Sequence, residues 1–250
     1  MRVYLTLSIL YGVCMMDSGQ GYKNTIIVGH RGARGLSAEN TLASFKEALK
    51  YHVDMVELDV HICKSGHLVV FHDNTLERLT GAEGHVDDFT LAELRKLLVD
   101  KKEQIPTLEE VIQFINRRCK INIELKGEGT GKAVALLLRR YLNRAWQPDD
   151  FLVTSFNFYE LFAFQEALSI ISTGLIFERL PIDYTLFSQQ FGVQAIMMHY
   201  PLITPSFMER AHARNLKVYA WTVNKISDQK KLLKLGVDGV ITDYPNKIKK

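Results

Sequence analysis

Lys217–Thr242 reads KVYAWTVNKISDQKKLLKLGVDGVIT, and its pattern decides the fold. Lys217–Val223 is predicted as a strand, Ser227–Leu235 as a helix and Val240–Thr242 as the last strand. Strand, helix and strand in so short a span form the unit from which parallel sheets are wound. Toward the N-terminus the unit repeats. Strands are predicted to begin at Ile26, Met55, Ile121, Phe151, Thr173 and Ala195. Helices are predicted over Glu39–Tyr51, from Thr107 to Arg117, and over Gly131–Asn143, Tyr159–Leu168 and Pro205–Arg214. Thr107, with Glu109 and Glu110 behind it, has the chemistry of a helix N-cap.

Eight strands in about 225 residues fit a closed (β/α)8 TIM barrel better than a doubly wound open sheet. An open sheet binding a dinucleotide would show GxGxxG after its first strand, and Gly29–Gly35 reads GHRGARG. The alternation breaks once. Met55–His61 and His67–His72 flank the turn Lys64-Ser65-Gly66 and are expected to pair as a hairpin. Residues 73 to 105, with Gly81, Gly84 and a short helix at Leu91–Leu98, read as a small insertion over one mouth of the barrel. With no linker and no internal repeat, residues 23–250 are expected to form one domain.

A net charge of +3 is too small to argue for nucleic acid as a partner. Cys14, Cys63 and Cys119 are odd in number and far apart, which excludes a disulfide framework and a cysteine zinc site. Residues 1–22 form a separate N-terminal apolar segment. Its run Val3–Val13 has the length of a signal-peptide core, but Asp17 arrives early and no clear cleavage site follows. A cytoplasmic protein is expected. Export, or membrane contact through residues 3–16, is the alternative. Oligomeric state is not legible.

Chemistry gathers at the strand ends. His30 and Arg31 end the first strand, Glu57 and Asp59 lie in the second, and Glu124 and Lys126 end the third. Ser155, Asn157, Glu178, His199, Trp221, Asn224 and Asp243 follow or end the others. In a barrel all these ends share one face, where barrel enzymes keep their sites. Glu57 and Asp59, one residue apart in a strand, point to one side, with Val56, Leu58 and Val60 toward the helices. Glu124 joins them by the same alternation. Three carboxylates without a cysteine suit a hard cation, magnesium or calcium, unless they simply pair with Arg31 and Lys126. His30 and His72 both follow apolar strands and are the candidate acid and base; His52, His61, His67, His85 and His212 lack that context. Arg31 and Lys126 suit a phosphate oxyanion. Trp221 is either an apolar wall of the site or a core aromatic.

The ordered series His30-Arg31-Gly32, Glu39-Asn40-Thr41, Glu57-x-Asp59, His72-Asp73 and Glu124-x-Lys126 resembles the signature of the glycerophosphodiester phosphodiesterase family. The resemblance runs to Asp238–Pro245, DGVITDYP, and departs only at Ala38, where the family usually has proline. It implies a TIM barrel with a short insertion, and hydrolysis of a small glycerophosphodiester to sn-glycerol 3-phosphate and an alcohol, a reaction of lipid and glycerol metabolism. Carried over by position, it implies metal ligands Glu57, Asp59 and Glu124, catalytic His30 and His72, and phosphate contacts Arg31 and Lys126. Glu39 and Asn40 would support the site, with Glu39 either bonding inside it or capping the helix. Two alternatives are a lysophospholipase D and a non-catalytic barrel that binds phosphodiesters.

Overall fold

The structure, a computed structural model, describes residues 25–179 and 183–248, and its first strand is also the strand that closes the sheet. That strand, β1 (Ile26–Gly29), pairs in parallel with Met55–Val56 on one side and with Gly239–Thr242 on the other. After it come α1 (Leu42–Lys50), β2 (Met55–Ile62) and β3 (Leu68–Val70). Residues 73–106 hold two short helices, α2 (Glu77–Thr80) and α3 (Leu91–Leu94), and the small hairpin β4 (Leu98–Val99) and β5 (Glu103–Gln104). The alternation resumes with α4 (Leu108–Ile115), β6 (Lys120–Leu125), α5 (Thr130–Leu142), β7 (Phe151–Ser155) and α6 (Phe158–Ala167). It ends with β8 (Ser172–Phe177), α7 (Tyr184–Phe191), β9 (Ala195–His199), α8 (Pro205–Ala213), β10 (Lys217–Trp221), α9 (Ile226–Leu235) and β11 (Gly239–Thr242).

The sheet order β1-β11-β10-β9-β8-β7-β6-β2, with β1 also bonded to β2, is a closed parallel barrel of eight strands. β3 adds to β2 in antiparallel fashion, as the hairpin reading expects. Strand alternation sorts the side chains into two cores. Val56, Leu58, Val60, Ile121, Ile123, Leu125 and Val153 face the helices. Val28, Met55, Leu152, Ile176, Ala195, Met197, Tyr219 and Ile241 fill the barrel interior. Above that apolar plug the inward positions turn polar: Asn122, Glu57, Asp59, Glu124 and Thr154 are all buried. A water-poor floor thus lies beneath the charged mouth.

The structure differs from the sequence reading at three helices. α1 starts at Leu42 and not at Glu39, because Thr41 Oγ1 accepts from Ser44 N at 3.2 Å and caps it. Glu39 and Asn40 (φ 57°) belong to the loop before it and are buried. The helix expected over Leu91–Leu98 ends at Leu94, since Leu98 leaves to pair with Gln104. α7 has no counterpart in the reading; Asp183 caps it through Thr185 N and Leu186 N. The N-terminal run Val3–Val13 and Cys14 lie outside the described residues, while Cys63 and Cys119 are buried free thiols. Among the described residues no helix is long and apolar enough to cross a membrane.

Candidate active site

The turn after β1 sets the first side of the site. Arg31 (φ 49°) and Gly32 (φ 85°) are both left-handed, and a Cβ on Gly32 would lie 2.5 Å from Ser44 Oγ, so only glycine fits there. Arg31, a non-glycine residue in that region, is held by contacts on every side. Its N–H donates to Glu57 Oε2 at 2.7 Å, its carbonyl accepts from Ser44 Oγ at 2.8 Å, and its Nη1 donates to Glu39 Oε1 at 2.7 Å. Its Nε lies 3.5 Å from Asp59 Oδ2, an ion-pair distance without hydrogen-bond geometry.

Glu57, Asp59 and Glu124 come together as the alternation predicts, each offering an oxygen within 4.8 Å of the others. Asn40 Nδ2 donates to Asp59 Oδ2 at 2.9 Å, while Asp59 Oδ1, buried, has no hydrogen-bond partner and only Lys126 Nζ at 4.0 Å. Burial, together with the charges of Asp59 and Glu124, holds the Glu57 carboxyl well above the usual range. Burial and Asp59 likewise bring Glu124 up to about 7. Crowded, desolvated carboxylates with one oxygen unclaimed are stabilised by protonation or by added positive charge. The donor set fits a divalent cation with oxygen ligands.

His30 and His72 both line a cavity of about 230 Å³ with Arg31, Glu57, Glu124 and Trp221. Their anchoring is alike. His30 Nδ1 is 2.6 Å from Asp243 Oδ1, and His72 Nδ1 is 2.5 Å from Asp73 Oδ1. Burial tends to raise both aspartates. Asp243 is nonetheless lowered by its bond with His30, and Asp73 is lowered chiefly by Arg78 and also by His72. An ionised carboxylate only accepts, so each imidazole donates from Nδ1; His30 keeps Nε2 for the pocket, and His72 Nε2 faces Lys126 Nζ at 3.4 Å. Burial lowers both histidines below their ordinary value, which favours the neutral form near pH 7.

Lys126 departs from the simplest picture. Its ammonium donates to Glu124 Oε1 at 3.0 Å and lies 3.4 Å from His72 Nε2, but the residue lines a neighbouring groove with His61 and Asn74. Trp221 is an edge-on partner of the half-exposed Phe156 at 5.8 Å, and its indole N–H is buried without an acceptor.

Three neighbours have no role in the sequence reading, and a fourth is left open there. Asp243 was placed at its strand end without a role, and Asn224 Nδ2 donates to its Oδ2 at 2.7 Å. His61 was set aside, yet it shares the inward alternation of Glu57-x-Asp59-x-His61, is buried, and its Nε2 is 3.2 Å from the His72 carbonyl. That alternation was the signal. Arg78 was not singled out at all; it bonds both Asp73 and Glu39. Glu39, left open between site and cap, bonds within the site, and Thr41 is the cap.

A closed parallel barrel with a charged mouth of paired acids and anchored histidines is a barrel enzyme built for a small, charged substrate. The profile of the Glycerophosphoryl diester phosphodiesterase family matches residues 30–247, and the chain belongs to that family. It is 34% identical to the glycerophosphodiester phosphodiesterase of Caldanaerobacter subterraneus subsp. tengcongensis, over 88% of this chain and 95% of that one. It is 30% identical to the human lysophospholipase D, over 89% and 84%. A phosphodiesterase of Oleispira antarctica, solved in complex with the product sn-glycerol-3-phosphate, superimposes with a TM-score of 0.81 at 32% identity, over 89% of this chain and 94% of that one.

Proposed function

We propose that this enzyme hydrolyses small glycerophosphodiesters to sn-glycerol 3-phosphate and an alcohol, with His30 and His72 as its acid–base pair. One observation carries the reading: two imidazoles, each tied through Nδ1 to an aspartate, open onto one cavity beside a cluster of three carboxylates. Glu57, Asp59 and Glu124 would hold the divalent cation, magnesium or calcium. Such an ion, when bound there, supplies Lewis-acid polarisation of a nonbridging phosphate oxygen and fixes the substrate's place.

The chain's own groups do the rest. Arg31 and Lys126 set positive charge against the phosphate, where the transition state concentrates negative charge. The Nε2 of one histidine accepts the proton of the nucleophile, either water or the substrate's glycerol 2-hydroxyl. The other, charged by a second proton taken up on Nε2, gives that proton to the leaving alcohol, and the two exchange roles to reset or to open a cyclic phosphate. Trp221 closes the apolar side. Glu39 and Asn40 keep Arg31 and Asp59 in place.

The test is release of glycerol 3-phosphate from a panel of glycerophosphodiesters, titrated with magnesium, calcium and a chelator. Cation-dependent release supports the reading; binding without turnover would make the protein a non-catalytic phosphodiester-binding barrel.

A second reading has its own observation. Phe156, Phe158, Tyr159 and Phe162 are exposed at the start of α6, next to the pocket wall, which favours lysophospholipids as substrates. Comparing glycerophosphocholine with lysophosphatidylcholine, with and without residues 1–20, separates the two. The same truncation tests whether the N-terminal run makes membrane contact; without it, the cytoplasm is the compartment proposed.

A further inference from the structure

Arg78 stands outside the cavity, on α2, and yet it touches both sides of the site. Its Nε donates to Asp73 Oδ2 at 2.5 Å and its Nη2 to Asp73 Oδ1 at 2.9 Å. The same Nη2 donates to Glu39 Oε1 at 2.7 Å, and Nη1 reaches Glu39 Oε2 at 3.2 Å. Each of those carboxylates also holds a residue of the mouth. Asp73 Oδ1 is the acceptor of His72 Nδ1, and Glu39 Oε1 the acceptor of Arg31 Nη1. One guanidinium therefore joins His72 to Arg31 through two shared oxygens.

We infer that Arg78 is a positioning residue, a clamp that fixes the orientation of the His72 imidazole and the Arg31 guanidinium at once. A planar fork with five donors suits two carboxylates; a lysine, with one point charge, does not reproduce four directed contacts. The clamp is itself anchored. Leu76 and Leu79, on either side of Arg78 in the chain, are buried with Val69, Phe71, Val86, Leu94 and Ile105 in a core separate from that of the barrel. This gives residues 73–106 a task in the site: their core sets the place of the arginine that sets the site. With Arg78 gone, Asp73 is free to swing off His72, and Glu39 is left with Arg31 and the looser Arg34, whose Nε lies 3.5 Å from its Oε2. Displacement of this kind lowers the rate without removing any group that meets the substrate.

The inference rests on the roles proposed for His72 and Arg31, and its test is separable from theirs. In the full-length protein, Arg78→Ala is expected to lower kcat about tenfold or more, with magnesium affinity within about twofold of wild type because no proposed ligand bonds to Arg78. Its side chain is 45% exposed, so free guanidinium ion can enter the gap. Guanidinium chloride at about 20–50 mM, well below denaturing strength, is expected to restore at least about threefold of the lost kcat. Arg78→Lys is expected to fold like wild type and still lose several-fold in kcat, which covers the case of an unstable alanine variant. A kcat within about twofold of wild type in folded Arg78→Ala or Arg78→Lys would overturn the inference, and so would a loss that guanidinium leaves unchanged. Absence of turnover in the wild type would instead overturn the proposed activity.

Discussion

His30 Nδ1 and Asp243 Oδ1 lie 2.6 Å apart although 213 positions separate them in the chain. The bond joins the end of the first strand to the end of the last, across the seam where the barrel closes. Asn224 holds the other oxygen of Asp243 at 2.7 Å, so the aspartate has little freedom to turn away. The orientation of the His30 imidazole thus depends on barrel closure.

That relationship gives the first prediction. In Asp243→Asn the amide can donate to Nδ1, which leaves the hydrogen on Nε2 and removes the lone pair from the pocket. Turnover is expected to fall by at least about a hundredfold, with the circular dichroism spectrum unchanged. Turnover near wild type would show that His30 does not work through Nε2.

The acidic cluster gives the second. Glu57→Gln removes a carboxyl that burial, Asp59 and Glu124 hold well above the usual range, while keeping its shape. In chelator the variant is expected to melt at or above the wild-type temperature. The rise in melting temperature that magnesium or calcium gives the wild type is expected to be lost. Differential scanning calorimetry with and without each ion reads both effects; an undiminished rise would place the cation elsewhere.

Glu39 gives a prediction in pH. Burial alone would raise its carboxyl, but Arg78 and Arg31 outweigh burial and bring it down to about 2 from an ordinary 4.5. A lowered acid contributes stability above its unfolded value and loses it as pH falls through the folded one. The contribution, roughly 3 kcal/mol, should be complete above about pH 5.5 and fade between about pH 4.5 and 2. Urea unfolding of wild type and Glu39→Gln across that window is expected to show a stability gap that narrows as pH falls. A gap independent of pH would mean that Glu39 matters by its shape and not by its charge.

What could be read in the chain follows from the range of the signal. Glu57-x-Asp59 and Glu124 were legible because a strand sends alternate residues to one face, and the same period applied two residues further would have reached His61. The barrel was legible because each strand-helix unit is local. The start of α1 was misread at Glu39-Asn40, since the pull of Arg31 and Asp59 on those side chains comes from other parts of the chain. Asp243 gets no role because His30 lies 213 positions away, and Arg78 none because Glu39 lies 39 positions away and no local period marks its ion pair with Asp73. α7 lacked a clear apolar stripe, with only Tyr184, Thr185 and Ser188 buried.

The central claim is that His30 and His72 divide the proton transfers of phosphodiester cleavage. Its most direct measurement is turnover of His30→Ala and His72→Ala on two substrates, glycerophosphocholine and a glycerophosphodiester of 4-nitrophenol. A nitrophenolate leaves without a proton, so the variant lacking the general acid should regain activity on it while the variant lacking the base should not. Both variants are expected to lose at least about a thousandfold on glycerophosphocholine, and one of them alone to recover on the activated ester. Wild-type turnover of glycerophosphocholine by either variant would contradict the account.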